Sequence, residues 1–421
     1  MSDNDILFRR LFPAPDNPYE LLATSNKSCV VMIRCEDSNQ EVPFVVPDTD
    51  TTPRVRLPFP ARSISWYPLR SKTDNASFLT ACQTQPLQLW DLEDGAQRAS
   101  YVAFNDSGNN ADPQCTLWIG KPHTGLIAGG YGGFEDKHHV RLYDVLYEGD
   151  NAVLKYRSRV GSAVGGTCTL SNGPSQLVLA SYFKSDVVEA IDIRSGTLSL
   201  FLRGMSGSGA ACIRSHPSDE YLVYVSGYKG SKFIYKWDLR QCAEPLSLFH
   251  REAGTSQICD FAFAKATAQN SSSAEWSLTS STSAGGLLVF PDEAGTDFKG
   301  AQHGCHRFKD QLGPTGGLAA LPDGRLVVAF GSRSYSFKKR TSEKPPPVVQ
   351  EIPSLSMKPP VRAGLLDEKS DDATTQLTYP IGHGHLHTHV SDTDSEDSFY
   401  QRGWCAGRKE GSYLHAAIVH L

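Results

Sequence analysis

The 421-residue chain contains no apolar run approaching the roughly 20 residues that a membrane-spanning helix needs. Its opening, MSDNDILFRR, lacks the apolar stretch of a signal peptide. The expectation is an intracellular protein of the cytosol or nucleus, without a membrane partner. Ten cysteines are present but no C-x-x-C pair. Scattered singly from Cys29 to Cys405, they read as small buried hydrophobes of a reducing compartment rather than as a disulfide framework. No G-x-S-x-G elbow is present to raise a nucleophile, so no catalytic residue, cofactor or small-molecule substrate is expected. A strong charge of one sign is missing as well. Net charge is −5, and residues 341–421 hold 7 basic and 11 acidic side chains, leaving 34 and 35 for residues 1–340. A nucleic-acid site must therefore be a local patch, because the whole-protein field would not attract phosphate.

What is present is a repeat. Ala61 to Asn105 reads as four short strands, with Ser63 to Tyr67 first, Phe78 to Cys82 second, a third ending in Trp90-Asp91, and a fourth closing near Phe104 after the turn at Glu93-Asp94-Gly95. Such a unit cannot bury both faces alone, so it must be one blade of a propeller. Similar closing runs recur at LQLWDL, VRLYDV, EAIDIRSG and IYKWDLRQ. Their aspartates, Asp91, Asp144, Asp192 and Asp238, lie 46 to 53 positions apart. That is slightly longer than the ~40–45 of a WD-repeat blade, the excess belonging to loops.

The reading is all-β: a seven-bladed WD-repeat β-propeller over residues 1–337, a disordered low-complexity tail over 338–398, and a C-terminal segment, 399–421, apolar enough to dock, with return as an added strand left open. Trp90 and Trp237 are expected to be buried at equivalent positions. Pro43 to Pro60 reads as an extended connection because proline cannot donate to a ladder. The chain's start, around Ile6 to Leu11, is expected to complete the last blade and remove its free edge.

Several constellations invite chemistry and are better read otherwise. Gly204 to Gly209 is followed by strand-like AACIRSHP, so it links blades rather than cradling phosphate. His138-His139 near Asp136 sit on adjacent positions that point to opposite faces, and read as turn histidines. His383, His385, His387 and His389 form a solvated tract without ordered partners, and His303-Gly304-Cys305-His306 is too compressed for a zinc knot, so no metal site is expected. RNA recognition needs cations for phosphates and flat side chains for unstacked bases. Trp66-Tyr67 with Arg70, Tyr182 with Lys184, Tyr228 with Lys229 and Lys232, and Arg240 supply these types at blade-connecting turns.

Ser65-Trp66-Tyr67-Pro68-Leu69, Pro86 to Asp91 and Ala99 to Asn105, together with Ser215-His216-Pro217 and Tyr235 to Gln241, resemble the telomerase Cajal body protein family, a WD-repeat group that escorts small nuclear RNAs. The resemblance implies a seven-bladed propeller without catalytic activity that binds the CAB-box loop of H/ACA-type RNAs, telomerase RNA included. It also implies ribonucleoprotein core proteins as partners and delivery to nuclear bodies. His216 and Arg240 match the family's blade-turn histidine and post-Asp arginine, read as fold-supporting first and RNA-facing second.

Overall fold

The computed structural model describes residues 8–25, 28–35, 43–44, 54–70, 76–120, 123, 125–132, 138–159, 168–174, 176–182, 185–205, 209–228, 231–251, 253, 258–265, 276–283, 286–291, 304–307, 315–330 and 416–419. All fall within one compact unit formed by Met1–Ser334 and Ser412–Leu421. The tail expected over 338–398, with its histidines, lies outside the described residues.

Every named element is a β-strand, and the strands form seven four-stranded antiparallel sheets. Sheet 1 contains β1 (Phe8–Pro13), β2 (Glu20–Ser25), β3 (Cys29–Arg34) and, after the short β4 (Pro43–Phe44), β5 (Arg54–Arg56). Sheet 2 is β6 (Ala61–Trp66), β7 (Ser77–Cys82), β8 (Leu87–Asp91) and β9 (Gln97–Tyr101); sheet 3 is β10 (Pro113–Trp118), β11 (Leu126–Tyr131), β12 (Val140–Asp144) and β13 (Ala152–Tyr156). Sheet 4 comprises β14 (Cys168–Asn172), β15 (Leu177–Tyr182), β16 (Val188–Asp192) and β17 (Thr197–Leu202), and sheet 5 comprises β18 (Ala210–Ser215), β19 (Leu222–Gly227), β20 (Phe233–Asp238) and β21 (Ser247–His250). Sheet 6 holds β22 (Phe261–Lys265), β23 (Trp276–Ser281), β24 (Gly286–Pro291) and β25 (Gly304–Arg307). Sheet 7 is ordered β26 (Thr315–Ala320), β27 (Leu326–Phe330), β28 (Ala416–Val419) and finally β4.

Apolar clusters fill the seams between these sheets. Val30 and Val55 meet Trp66 and Phe78 between sheets 1 and 2; Leu79 and Tyr101 meet Trp118 and Tyr143 between sheets 2 and 3. Val188 and Leu202 pack on Tyr235 and Trp237 between sheets 4 and 5, and Tyr224 and Phe249 on Phe261 and Phe290 between sheets 5 and 6. Val327 and Ala329 reach Leu11 and Val31, which brings sheet 7 back to sheet 1. Neighbouring sheets touch through their first strands, β1 with β26, β6 with β10, β10 with β14 and β14 with β18, so the first strand of each sheet is the innermost. The arrangement is a β-propeller, in which sheets with two apolar faces each find a neighbour on both sides.

Trp90 and Trp237 stand at matching register positions, paired with Phe78 and Val223, and both are buried. The Trp237 indole N–H donates to the Arg203 carbonyl at 3.2 Å, and the Trp90 indole to Thr80 Oγ1 at 3.1 Å. The aspartate after each of these positions has a local task. Asp91, Asp144, Asp192 and Asp238 each accept, through Oδ1, the backbone N–H two residues on, at 2.8–2.9 Å. This Asx turn reverses the chain into the outer strand, which is why the motif ends in Asp.

Closure departs from the expectation. The N-terminal β1 belongs to sheet 1, where it pairs with β2. Sheet 7 is completed by β28, paired with β27 from Leu326↔Val419 to Ala329↔Ala416, and by β4, paired through Ala416↔Phe44 and Ala417↔Pro43. Pro43 to Pro60 thus contributes two short edge strands instead of a plain connection; at an outer edge the missing proline N–H has no ladder partner to lose.

Candidate nucleic-acid interface

An antiparallel meander sends alternate connections to opposite ends of its sheet. At what we call the entry end lie the starts of the first strands and the connections from second to third strand. The connections from first to second strand, and from third to fourth, lie at the opposite end. This divides the residues read from the sequence into two groups. Trp66, Tyr67, Arg70 and Arg240 sit at the opposite end, whereas at the entry end Tyr182 closes β15, Tyr228 directly follows β19 and Lys232 immediately precedes β20. Lys184 and Lys229 fall in the same two entry-end connections and lie outside the described residues.

The opposite end is internally neutralised. Arg70 is 16% exposed, lies over the Trp66 ring at 5.1 Å and is paired with both Glu20 and Asp16. Trp66 itself is buried, donates its indole N–H to the Phe12 carbonyl at 2.9 Å and meets Phe78 edge to face, so it offers no face to a base. Tyr67 is half-buried against Trp118, 5.0 Å between centroids. Arg240 is exposed, grips Asp238 through Nε and Nη2, reaches Asp219 at 3.5 Å and lies over Tyr221. Arg98 pairs with Asp91 and Asp94, Arg194 with Asp192 and Arg325 with Asp323 in the same way. The arginine hydrogen bond holds each of Asp91, Asp192 and Asp238 below the ordinary carboxylate range. Guanidinium groups so engaged have little left for phosphate. Reading Trp66 and Arg70 as RNA contacts is therefore corrected by burial and by pairing, respectively.

His216 is a packing residue. It is buried against Phe263 at 5.2 Å and near Tyr224 and Trp276, with Nδ1 accepting the Ser218 N–H at 3.3 Å. His139 is not an exposed turn histidine. It is buried in the seam between sheets 3 and 4, where Nδ1 accepts the Ser158 N–H at 3.1 Å and the ring meets Tyr182 at 5.3 Å. Tyr182 is thereby also buried, which corrects its reading as a stacking platform. Among the described residues no group of three or more His, Cys, Asp or Glu side chains could hold a metal ion.

What remains at the entry end is compact. The described residues flanking the β19–β20 connection are tied down, with the Tyr228 N–H on the Gly209 carbonyl at 2.7 Å and the Ser231 N–H on the Tyr228 carbonyl at 3.2 Å. Gly227 is required there, because a Cβ would run into the Ser231 side chain. From beneath, the Arg251 guanidinium donates to the Gly227 carbonyl at 3.1 Å, and the Arg251 N–H to the Lys232 carbonyl at 2.7 Å. The loop thus presents a half-buried Tyr228 and an exposed Lys232 from a fixed base. In the connection from sheet 3 to sheet 4, Arg159 is exposed, its backbone N–H held by buried Glu189 at 3.1 Å. Among the described residues neither Lys232 nor Arg159 has a carboxylate partner. Arg159 was not among the candidates read from sequence. Its signal was the exposed–buried alternation of Lys155, Tyr156, Arg157, Ser158 and Arg159, which aims every basic residue outward. Neither a protein-family model nor a curated protein matches the chain.

Proposed function

We propose that the protein is a seven-bladed WD-type propeller acting as a non-enzymatic RNA-binding scaffold, with sheets 4 and 5 holding RNA at their entry ends. The observation that carries this reading is the β19–β20 connection, which, tied to Gly209 and Arg251, carries a half-buried Tyr228 and an exposed Lys232 that has no carboxylate partner among the described residues, with exposed Arg159 and Arg203 at the same end of sheets 3 and 4. A cation for phosphate and a ring for an unpaired base, fixed on one loop, are the parts that single-stranded RNA recognition uses. The RNA class follows from the likeness of the Trp66 and Ala99–Asn105 motifs to RNA-escort propellers: a small nuclear RNA of H/ACA type with a CAB-box loop, telomerase RNA included. Assistance in its assembly or localisation to nuclear bodies, beside ribonucleoprotein core proteins, belongs to the same proposal. Crosslinking in native extract followed by sequencing of the bound RNA tests it. Recovery of H/ACA-type RNA, reduced in a Tyr228→Ala, Lys232→Ala variant, is expected, and absence of RNA rejects it.

A second reading has an observation of its own. Leu146 is 82%, Tyr147 63% and Val153 60% exposed on the β12–β13 turn and the outer strand of sheet 3. Exposed apolar side chains at a propeller rim suit a protein partner in a splicing or chromatin complex. Co-purification that survives ribonuclease and is lost on Leu146→Ser, Tyr147→Ser replacement would favour it.

A further inference from the structure

The outer strand of sheet 3 is a bare edge. In the strand order β10-β11-β12-β13, no strand pairs with the outer side of β13 among the described residues. Sheet 2 differs, because the β12–β13 turn covers part of its outer strand: the Gly149 N–H donates to the Ser100 carbonyl at 2.8 Å, and the Val102 N–H to the Gly149 carbonyl at 2.7 Å. These two bonds also fix the turn that carries Leu146, 82% exposed, and Tyr147, 63% exposed. Val153, 60% exposed, is the extra residue of a bulge between the pairs Tyr143↔Ala152 and Leu142↔Leu154.

From Leu154 the strand pairs regularly, through Leu142↔Leu154, Arg141↔Lys155 and Val140↔Tyr156. Tyr156 and Ser158 are buried while Lys155 and Arg157 are exposed, so the two cations stand on one side of the chain, about 7 Å apart along it. Past β13 the chain is held by buried side chains, the Ser158 N–H by His139 Nδ1 and the Arg159 N–H by Glu189 Oε1, each at 3.1 Å. Neither Lys155 nor Arg157 has a carboxylate partner among the described residues, whereas Arg98, Arg194, Arg240 and Arg325 are each held by an aspartate. A single lysine on a bare edge is a common guard against strand pairing. Here a second cation follows two residues on, and exposed apolar side chains lie at the other end of the strand, a pattern that one kind of added strand complements.

We propose that β13 accepts an extended acidic segment of a partner protein as a fifth, antiparallel strand of sheet 3, with carboxylates opposite Arg157 and Lys155 and an apolar end at Val153 and Tyr147. Strand addition supplies backbone hydrogen bonds whatever the sequence, and alternate side chains supply the selectivity. An added strand has the same period of two, so acids two residues apart fall opposite the two cations. A second copy of this edge does not fit, because self-pairing centred on Tyr156 sets Lys155 against Arg157. Such a partner belongs to the protein-binding reading of the sheet 3 rim, on which the inference rests; Arg159 and the entry end of sheets 4 and 5 take no part in it.

The probe is the labelled, end-blocked peptide TETETVTL, titrated with the full chain and read by fluorescence anisotropy. Saturable binding of one peptide per chain is expected, with the charge-reversed TKTKTVTL weaker by about tenfold or more. In the double variant Lys155→Glu, Arg157→Glu both altered side chains are exposed, so it should melt like the parent while losing about tenfold or more in affinity for the acidic peptide. Only alternate amides of an added strand face the edge it joins, so N-methylation in one alternating register should abolish binding and in the other leave most of it. No saturable binding of the acidic peptide, unchanged affinity in the double variant, or equal loss in both N-methyl registers overturns the proposal. A uridine oligonucleotide that loses affinity in the double variant while the acidic peptide does not assigns the two cations to RNA and overturns it too. Co-purification of a protein that is lost in Leu146→Ser, Tyr147→Ser but kept in Lys155→Glu, Arg157→Glu overturns the acidic strand and leaves the protein-binding rim standing, and co-purification kept in both overturns the rim as well.

Discussion

Trp237→Ala is the replacement that probes the repeat most sharply. The indole is fully buried in the seam between sheets 4 and 5, stacked on Tyr235 at 5.3 Å, with its N–H on the Arg203 carbonyl of the neighbouring sheet. Truncation removes the ring from a packed seam, for which core Trp→Ala changes cost about 3–5 kcal/mol. Trp237→Phe keeps an aromatic body in the seam but leaves the carbonyl without its donor, a cost of about 1–3 kcal/mol. Trp90 carries the same motif at 8% exposure with an intrasheet partner, Thr80, so Trp90→Ala should cost less than Trp237→Ala. Equilibrium unfolding in urea, with midpoints compared at constant slope, measures all three. Equal losses for Trp237→Phe and Trp237→Ala, or a Trp237→Ala loss below about 1 kcal/mol, the level of an ordinary substitution, would refute the assignment of this residue as a seam anchor.

Deleting residues 412–421 removes β28, hence four register pairs with β27 and both with β4; at about 1 kcal/mol per lost backbone hydrogen bond the melting temperature should fall, and the bared edge of β27 should promote self-association visible by size-exclusion chromatography. Gly227→Ala should destabilise the chain by about 1–3 kcal/mol through overpacking against Ser231, and lower RNA affinity more than Arg240→Ala does, as read by parallel melting and binding curves. Asp260 has a folded pKa held below its unfolded value of about 3.9, so its contribution is present above that pH and lost as pH falls through the folded value. Asp260→Asn should therefore lower stability at pH 7 by about 3 kcal/mol and flatten the acid limb of a urea-midpoint profile below pH ~4, whereas an unchanged acid limb would count against the pairing with Arg214.

The repeat was legible because it is local. Alternation and a Trp-Asp or equivalent ending mark the third strand of sheets 2, 3, 4 and 5, and the Asx turn explains why the aspartate recurs even where Tyr143 or Ile191 replaces the tryptophan. Closure was not legible, since it rests on short pairings such as Phe44↔Ala416, between segments at opposite ends of the chain with no periodic signal linking them. The RNA candidates are marked in the sequence only by residue type at turns, and type does not say which end of a sheet a turn occupies. Trp66 and Tyr182 failed for a second reason: the residue closing a strand is where a seam seals, so its ring turns inward. Arg214 of β18 meets Asp260, which lies just before β22 of the next sheet, at 3.2 Å, and no spacing in the sequence could have joined them.

Binding of a CAB-type RNA loop across a salt titration, beside a base-substituted loop and a duplex of equal length, tests the central claim most directly. The near-neutral balance of residues 1–340 implies a shallow salt dependence, and stacking on Tyr228 implies that specificity resides in unpaired bases, each worth about 1–3 kcal/mol. The account predicts the native loop to bind tightest, with the preference abolished by Tyr228→Ala. Equal affinity for all three RNAs, or a steep common salt slope, would contradict loop recognition and leave the protein-binding rim as the functional surface.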